Sequence, residues 1–572
     1  MQKNTPVMSR NKFGLNDLII ISILCLLAGL LIYGWQGMHT PFDGSTLPPV
    51  TQDYKDLPYY ALRTTMRLLF GLAFSLIFTI VFGVLAAKYA AMRRIILPFV
   101  NFMESVPLLG FLTFTTAFFL GLYPHSVMGL EGLAIFAVFT GQAWNMMLTM
   151  YQTLRVVPNE LTEVSCAFQC NPWQRFWRLG FLYSFPGLLW NTMVSQSAAW
   201  FALIASEMLT IGNNNVNLPG IGSFLGQAID AGSIHGVLWG VLALVITIVL
   251  FDQLLFRPLV RYASQFKYED ISYAERPTSW FYSCLQRSFT GQLLGKLGSR
   301  FCQFWLFTLP KAWYLLGLSR LFNFLGILNW LWASLWYLAI AVACLYYGNI
   351  LWGYLPFQYL SKLPEWMGLT AARVIIAMLL SIVIFTPLGV WIGLRPRLVR
   401  IFQPVIQIMA AIPSNVFYPI VTVILITWHQ SLNAWTIPMI MLGTQWYVLF
   451  NVIAGASVIP SQMVDVSRVF GVKGWMWWSK YILPAIFPYI VTGIISAAGG
   501  AWNAAIAAEV LNWGDVTLKT NGLGAFISTT TEAGQNPEAA LGCIAMCFMV
   551  ALCVIFIWQP LYRFAETRFK FD

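Results

Sequence analysis

The sequence predicts an all-α, polytopic membrane protein: about twelve transmembrane helices in two parallel six-span repeats. Three observations lead there: an apolar, charge-poor composition, a series of uncharged runs of membrane-crossing length, and a long-range internal repeat. Of the 572 residues, 58% are hydrophobic and 10% are charged, against about 45–50% and about 25% in soluble domains. A water-soluble fold cannot hide that much apolar surface, and so apolar a chain is not disordered. Runs such as Leu18–Trp35 and Gly236–Phe251 approach the ~20 residues that cross a ~30 Å hydrocarbon core. They lack the alternation of outer-membrane barrel strands.

The net charge of +11 raises nucleic acid as a partner, but its distribution argues against it. Of the 33 Lys and Arg, 27 fall in segments that one topology places on a single side, nine of them within Arg257–Arg320, and none lies between Ile211 and Phe256. This is the positive-inside bias, so the charge reports orientation and places both termini in the cytoplasm. The first apolar run lacks a small-residue cleavage site and reads as a retained span. The nine cysteines form no disulfide framework, and Cys166 and Cys170 have no matching Cys/His pair, so neither a metal nor a bound cofactor is expected.

The predicted spans are 18–35, 61–87, 97–121, 131–152, 181–209 and 236–256, then 328–354, 370–394, 401–427, 434–455, 483–511 and 537–559. Residues 1–256 form the first transmembrane unit and 328–572 the second. The basic, aromatic linker 257–327 between them contains an apolar run, Phe301–Leu309, too short to cross a bilayer. With Arg300, Lys311 and Arg320 nearby, it reads as helices lying on the inner leaflet.

The repeat ties the two units together. Thr64–Phe111 aligns with Thr370–Phe417 at an offset of 306, so that Arg67 meets Arg373, Pro98 meets Pro404 and Pro107 meets Pro413. After a four-residue length difference the offset is 302: Pro158 meets Pro460, Trp173 meets Trp475, and Gly220 and Gly222 meet Gly522 and Gly524. Between Ser195–Glu207 and Ala497–Glu509, six of 13 positions are identical. Each unit carries an even number of spans, so the units share one orientation, with a pathway expected between them.

A basic loop follows the fourth span of each unit. In the first it carries Glu163, Ser165, Phe168, Trp173 and Phe176; in the second, Asp465, Ser467, Phe470, Gly471, Trp475 and Trp478, ending at Leu483-Pro484. The pattern is helix, tight turn, short aromatic helix. Gly471 permits the turn, and Asn171-Pro172 serves that purpose in the first copy. An exposed aromatic helix suits insertion into a partner's cleft.

At these residues the chain resembles the fused, two-repeat membrane subunit of an ATP-binding-cassette importer of the nitrate/sulfonate/taurine type. That family's coupling loop runs Glu-Ala-Ala-x-x-x-Gly, followed by a later Leu-Pro. Asp465, Ser467, Gly471, Leu483 and Pro484 match it well; Glu163 and Ser165 match in part, with Gln169 at the glycine position. A second stretch, Ala199 to Met208 and its twin Ala501 to Val510, resembles the family's Ala-Trp…Ala-Glu-Met. It carries Trp200 and Glu207, and Trp502, Asn503 and Glu509. An acid inside a span usually has a partner. Glu509 lies 25 residues after Pro484, about 37 Å along a helix and so near the outer face, where Arg67 and Arg373 also fall. The expected pairs are Arg67 with Glu207 and Arg373 with Glu509, as pathway or gate residues or as structural ion pairs.

The resemblance implies the type I importer fold, a bacterial inner-membrane location, a solute-binding protein on the outer side that is periplasmic or lipid-anchored, and a small anion as substrate: nitrate, a sulfonate, taurine or bicarbonate. It also implies two ATPase partner subunits. The chain's nearest approach to a phosphate loop, Gly291–Leu297, is one residue short and lacks the hydroxyl. ATP and Mg are therefore expected on another chain, and this one is not expected to be an enzyme. A fused ferric-iron permease and a twelve-span secondary transporter are the alternatives. The paired Trp and Glu stretches speak against the first, and the docking loops against the second.

Overall fold

A computed structural model describes residues 14–38, 50–106, 126–208, 218–266, 279–307, 357–459 and 461–568, with shorter stretches between 115 and 123, between 210 and 215 and between 334 and 353. Among the described residues the regular structure is helical apart from two short antiparallel hairpins, Thr210–Ile211 with Asn214–Asn215 and Val510–Trp513 with Val516–Lys519.

Among the described residues, seven helices are long and apolar enough to cross a membrane: Tyr54–Lys88, Met128–Arg155, Ile234–Ala263, Leu363–Gly393, Leu432–Val458, Gly474–Ala508 and Pro537–Ala565. An eighth candidate is broken: Pro396–Ala411 and Ser414–Thr427 meet at 81°. The sequence predicts one straight span there, 401–427, and Pro413 is why it fails. A proline disfavours helical backbone in the residue before it, and Ile412 is extended at φ −77°, ψ 121°. The first unit repeats this break. Val106, before Pro107, is extended at φ −74°, ψ 127° and ends the helix Ala90–Ser105, so the predicted span 97–121 is also not one continuous helix. Phe181–Glu207 has the length of a span, but Asn191, Thr192, Ser195, Gln196 and Ser197 interrupt its apolar sequence. Most of the predicted span 328–354 lies outside the described residues. The helix from Ile234 continues to Ala263, beyond the boundary at 256 drawn from the sequence.

The repeat is structural down to its irregularities. Each unit has π-helical turns at equivalent places: Phe176–Gly180 and Asp252–Phe256 in the first, Trp478–Ile482 and Val554–Trp558 in the second. In each unit the fourth-span helix is sandwiched, Met128–Arg155 between Leu57–Lys88 and Phe181–Glu207, and Leu432–Val458 between Leu363–Gly393 and Leu483–Ala508. The units interlock rather than merely touch. Ile412 and Val416, from the broken helix of the second unit, belong to the buried core of the first. Trp190 stacks on Phe450 at 4.4 Å, Tyr447 Oη donates to the Val194 carbonyl at 3.3 Å, and Gln407 Nε2 donates to Asp252 at 3.3 Å.

Candidate functional site

Each unit carries a buried carboxylate at the end of its long fifth helix. Glu207 ends Phe181–Glu207, and Glu509 follows Leu483–Ala508. Both are fully buried. Arg67 Nη1 donates to Glu207 Oε1 at 2.6 Å, and Arg373 Nη1 donates to Glu509 Oε1 at 2.8 Å. Thr64 and Thr370 donate their hydroxyls to the same oxygens, each at 2.8 Å. These threonines in turn accept the Ile221 and Leu523 N–H groups at 3.0 and 2.9 Å. The second oxygen of each carboxylate accepts a backbone N–H, from Gly222 at 2.7 Å or from Ala525 at 3.0 Å. Both carboxylates thus sit on the N-termini of the following helices, Ile221–Asp230 and Leu523–Glu532, where free N–H groups and the helix dipole favour negative charge.

Within the fold these charges are shielded from water, without solvent contact at Glu207, Arg67 and Glu509. The glycine pairs, which the sequence offers only as matched positions of the repeat, have a steric role. A Cβ at Gly220 or Gly522 would overlap the carboxylate of Glu207 or Glu509.

Sequence reasoning missed half of the first network. Glu131 is fully buried and takes a bidentate guanidinium bond from Arg67, Nε at 2.6 Å and Nη2 at 2.7 Å. It also takes a hydrogen bond from Arg63 Nη2, and Arg63 Nη1 donates to Tyr59 Oη at 2.7 Å. The signal was present: Glu131 opens a predicted span, and Arg63 stands one helical turn before Arg67. At the repeat offsets their counterparts are Asn433 and Leu369, so the acid and its second cation disappear together. Arg373 Nη2 reaches Asn433 Oδ1 at 3.4 Å, and its Nη1 donates to the Asn521 carbonyl at 2.9 Å.

A cavity of about 130 Å³ lies where the two units meet, between helices 128–155 and 181–207 on one side and 432–458 and 483–508 on the other. Of the seven pathway or gate residues suggested by the sequence, only Asn503 lines it. Arg67, Glu207, Arg373 and Glu509 are held within their own units. Trp200 and Trp502 are core side chains, 1% and 3% exposed; Trp200 also borders a smaller gap against Gln407, Ile408 and Ala411 of the second unit.

The two predicted docking loops share the turn at one residue and differ at another: Gly474 is also left-handed at φ 61°, where Pro172 opens the next helix of the first loop. Helices Asn159–Ala167 and Ser461–Val469 end in turns at Gln169 (φ 52°) and Gly471 (φ 61°). Gln169 thus adopts the left-handed conformation itself, at a cost that glycine avoids. Asn171 instead caps the next helix, accepting the Gln174 N–H at 2.8 Å. The side chains differ. Phe168 and Phe470 are each 77% exposed and Trp475 is 78% exposed. Trp173, the counterpart of Trp475, is covered by the linker helix Phe289–Phe307: its Nε1 donates to the Trp305 carbonyl at 2.9 Å, and the two indoles lie 5.5 Å apart. Phe176, expected on the exposed face, is buried in the core against Trp177 and Phe181. The π turn that starts at Phe176 has already joined the fifth helix. Trp478, at the same place in the second copy, packs on the core of its unit. Glu163 and Asp465 are exposed, Ser165 is half-buried and Ser467 is buried. The string Gly291–Leu297 is helical and forms no phosphate-binding loop.

The family model for "binding-protein-dependent transport system inner membrane component" matches twice, at residues 79–257 and 385–570. The chain is 30% identical over 172 residues to a nitrate import permease of Leptolyngbya laminosa, covering 30% of this chain and 58% of that protein. It is 29% identical over 153 residues to a bicarbonate transport system permease of Synechocystis (27% and 51%), and 24% identical over 169 residues to the taurine transport system permease of Escherichia coli (29% and 58%). The chain spans about half the length of the curated relatives it matches. With a family match in each unit, together covering more than half of its length, the chain belongs to the inner membrane components of binding-protein-dependent transport systems.

Proposed function

We propose that this chain is a membrane-spanning permease subunit of an ATP-binding-cassette importer, with both transmembrane units in one polypeptide and the solute pathway between them. The observation that carries this reading is the duplicated unit, each copy with its exposed loop after the fourth span, around an interfacial cavity. Two ATPase subunits dock from the cytoplasm on the loops 159–180 and 461–482. Closure of the ATPases on ATP draws the loops together and turns the cavity from inward-facing to outward-facing. A solute-binding protein then delivers the substrate, which is of the small-anion class that covers nitrate, bicarbonate, sulfonates and taurine. The chain itself binds no ATP. Both termini are cytoplasmic. The linker helix Phe289–Phe307 exposes Leu293, Leu294, Leu297, Phe301 and Phe304 beside Lys296 and Arg300, a composition that supports its lying on the inner leaflet.

The test is co-expression with the ATPase encoded by a neighbouring gene. The purified chain is expected to copurify with it and to hydrolyse no ATP alone. Robust hydrolysis by the chain in the absence of any partner would end this reading.

A further inference from the structure

Among the described residues, the cavity between the units is lined by neutral hydrogen-bonding side chains, such as Asn145, Asn191, Ser195, Ser496 and Asn503, and by one charged residue, Glu104. No Lys, Arg or His lies among its described lining residues. At about 130 Å³ it has room for roughly ten water molecules, enough for a small organic solute. Glu104 lies near the end of the helix Ala90–Ser105, just before the break at Val106, and its side chain is exposed to this space. It makes no hydrogen bond or ion pair with the described residues. By contrast, Glu131 and Glu207 are each paired with Arg67, Glu509 with Arg373, and Asp252 with Arg257. The counterpart of Glu104 in the second unit is Ala410, so this cavity has no symmetric pair of carboxylates at that place.

An uncompensated carboxylate in the wall of a narrow pathway repels a bare anion and attracts a cation. The aromatic rings of Trp144, Phe201 and Tyr447 on the same lining also favour positive charge over their faces. We propose that Glu104 binds the ammonium group of an amine-bearing solute, with the amides and hydroxyls of the cavity taking its other end. The cavity is then built for a small zwitterion, such as an aminosulfonate, and discriminates against inorganic anions. This inference rests on reading the cavity as the solute pathway.

The test uses the full chain in lipid nanodiscs, titrated calorimetrically with taurine, with isethionate (the same sulfonate with a hydroxyl in place of the amine) and with nitrate. Taurine is expected to bind at least tenfold more tightly than the other two. Glu104→Gln should bring taurine down to the isethionate level, and Glu104→Asp, which keeps the charge, should retain most of the preference. Equal or tighter binding of isethionate or nitrate overturns the proposal, as does an unchanged taurine preference in Glu104→Gln. Copurification of the ATPase with the same samples reads the permease assignment separately. Its loss in the wild type would undo that assignment, whereas its retention alongside a failed taurine preference would undo only the role of Glu104.

Discussion

The two units place the same carboxylate in the same setting and neutralise it in different ways. In the first, Arg67 bridges two buried acids, and Arg63 supplies the second positive charge. In the second, one arginine meets one acid, and an amide, Asn433, stands where the other acid would be. Both networks sum to zero charge. What has been kept is the neutrality of a buried cluster, which a low-dielectric interior demands, together with the threonine and backbone donors around the carboxylate. The number of charges has been free to change, provided that acid and base change together. The docking loops teach a parallel lesson. Both turn on a left-handed residue, Gln169 or Gly471, yet one tryptophan faces out and the other is held by the linker helix.

The sharpest way to break this comparison is to remove the central arginines. Arg67→Met leaves two buried carboxylates with only Arg63 between them, and should cost about 3–5 kcal/mol. Arg373→Met strands one carboxylate that keeps its threonine and backbone donors, and should cost less. Size-exclusion profiles and melting of the detergent-purified variants would read this. Equal losses would mean that the extra acid in the first unit carries no weight.

A double-mutant cycle addresses the paired loss directly. Arg63→Leu or Glu131→Asn alone unbalances the first network and should destabilise by about 2–3 kcal/mol. The two together rebuild the second unit's arrangement and should recover all but about 1 kcal/mol. A double variant no more stable than the worse single one would contradict the neutrality argument.

The glycines test what the units share. Gly220→Ala and Gly522→Ala each push a methyl group into a fixed carboxylate and should cost about 1–3 kcal/mol, by similar amounts in the two units. A harmless substitution at either position would show that its carboxylate can move aside.

The smallest effects concern the loops. Trp475→Ala should weaken ATPase capture by about 1–2 kcal/mol, as for an exposed aromatic anchor. Trp173→Ala should change it less and instead loosen the linker helix, seen as faster proteolysis within residues 289–307. Equal loss of capture from both substitutions would mean that the linker leaves the first loop when the ATPase binds.

Much of this arrangement was legible in the chain itself. The hydrophobic composition, the positive-inside bias and the repeat dictate a duplicated helical membrane protein, because each follows from how side chains partition between water and lipid. The repeat also picked out Arg67, Glu207, Arg373 and Glu509, since charged residues persist at matching places inside apolar spans only when they have partners. It offered Gly220 and Gly522 as well, but the reason for them is spatial: a carboxylate from a helix distant in sequence fills the room a Cβ would need. Tertiary structure alone decided that Glu131 joins Arg67, because the two residues lie on different helices and meet only through packing. It decided that Phe176 and Trp478 turn inward, because a π turn at the start of the fifth helix rotates them toward the core. It also decided that Glu104 faces the opposite unit, because the extended residue before a proline ends the helix beside the cavity. Local sequence sets which groups must be buried or charged; which of them meet is fixed by how the helices cross.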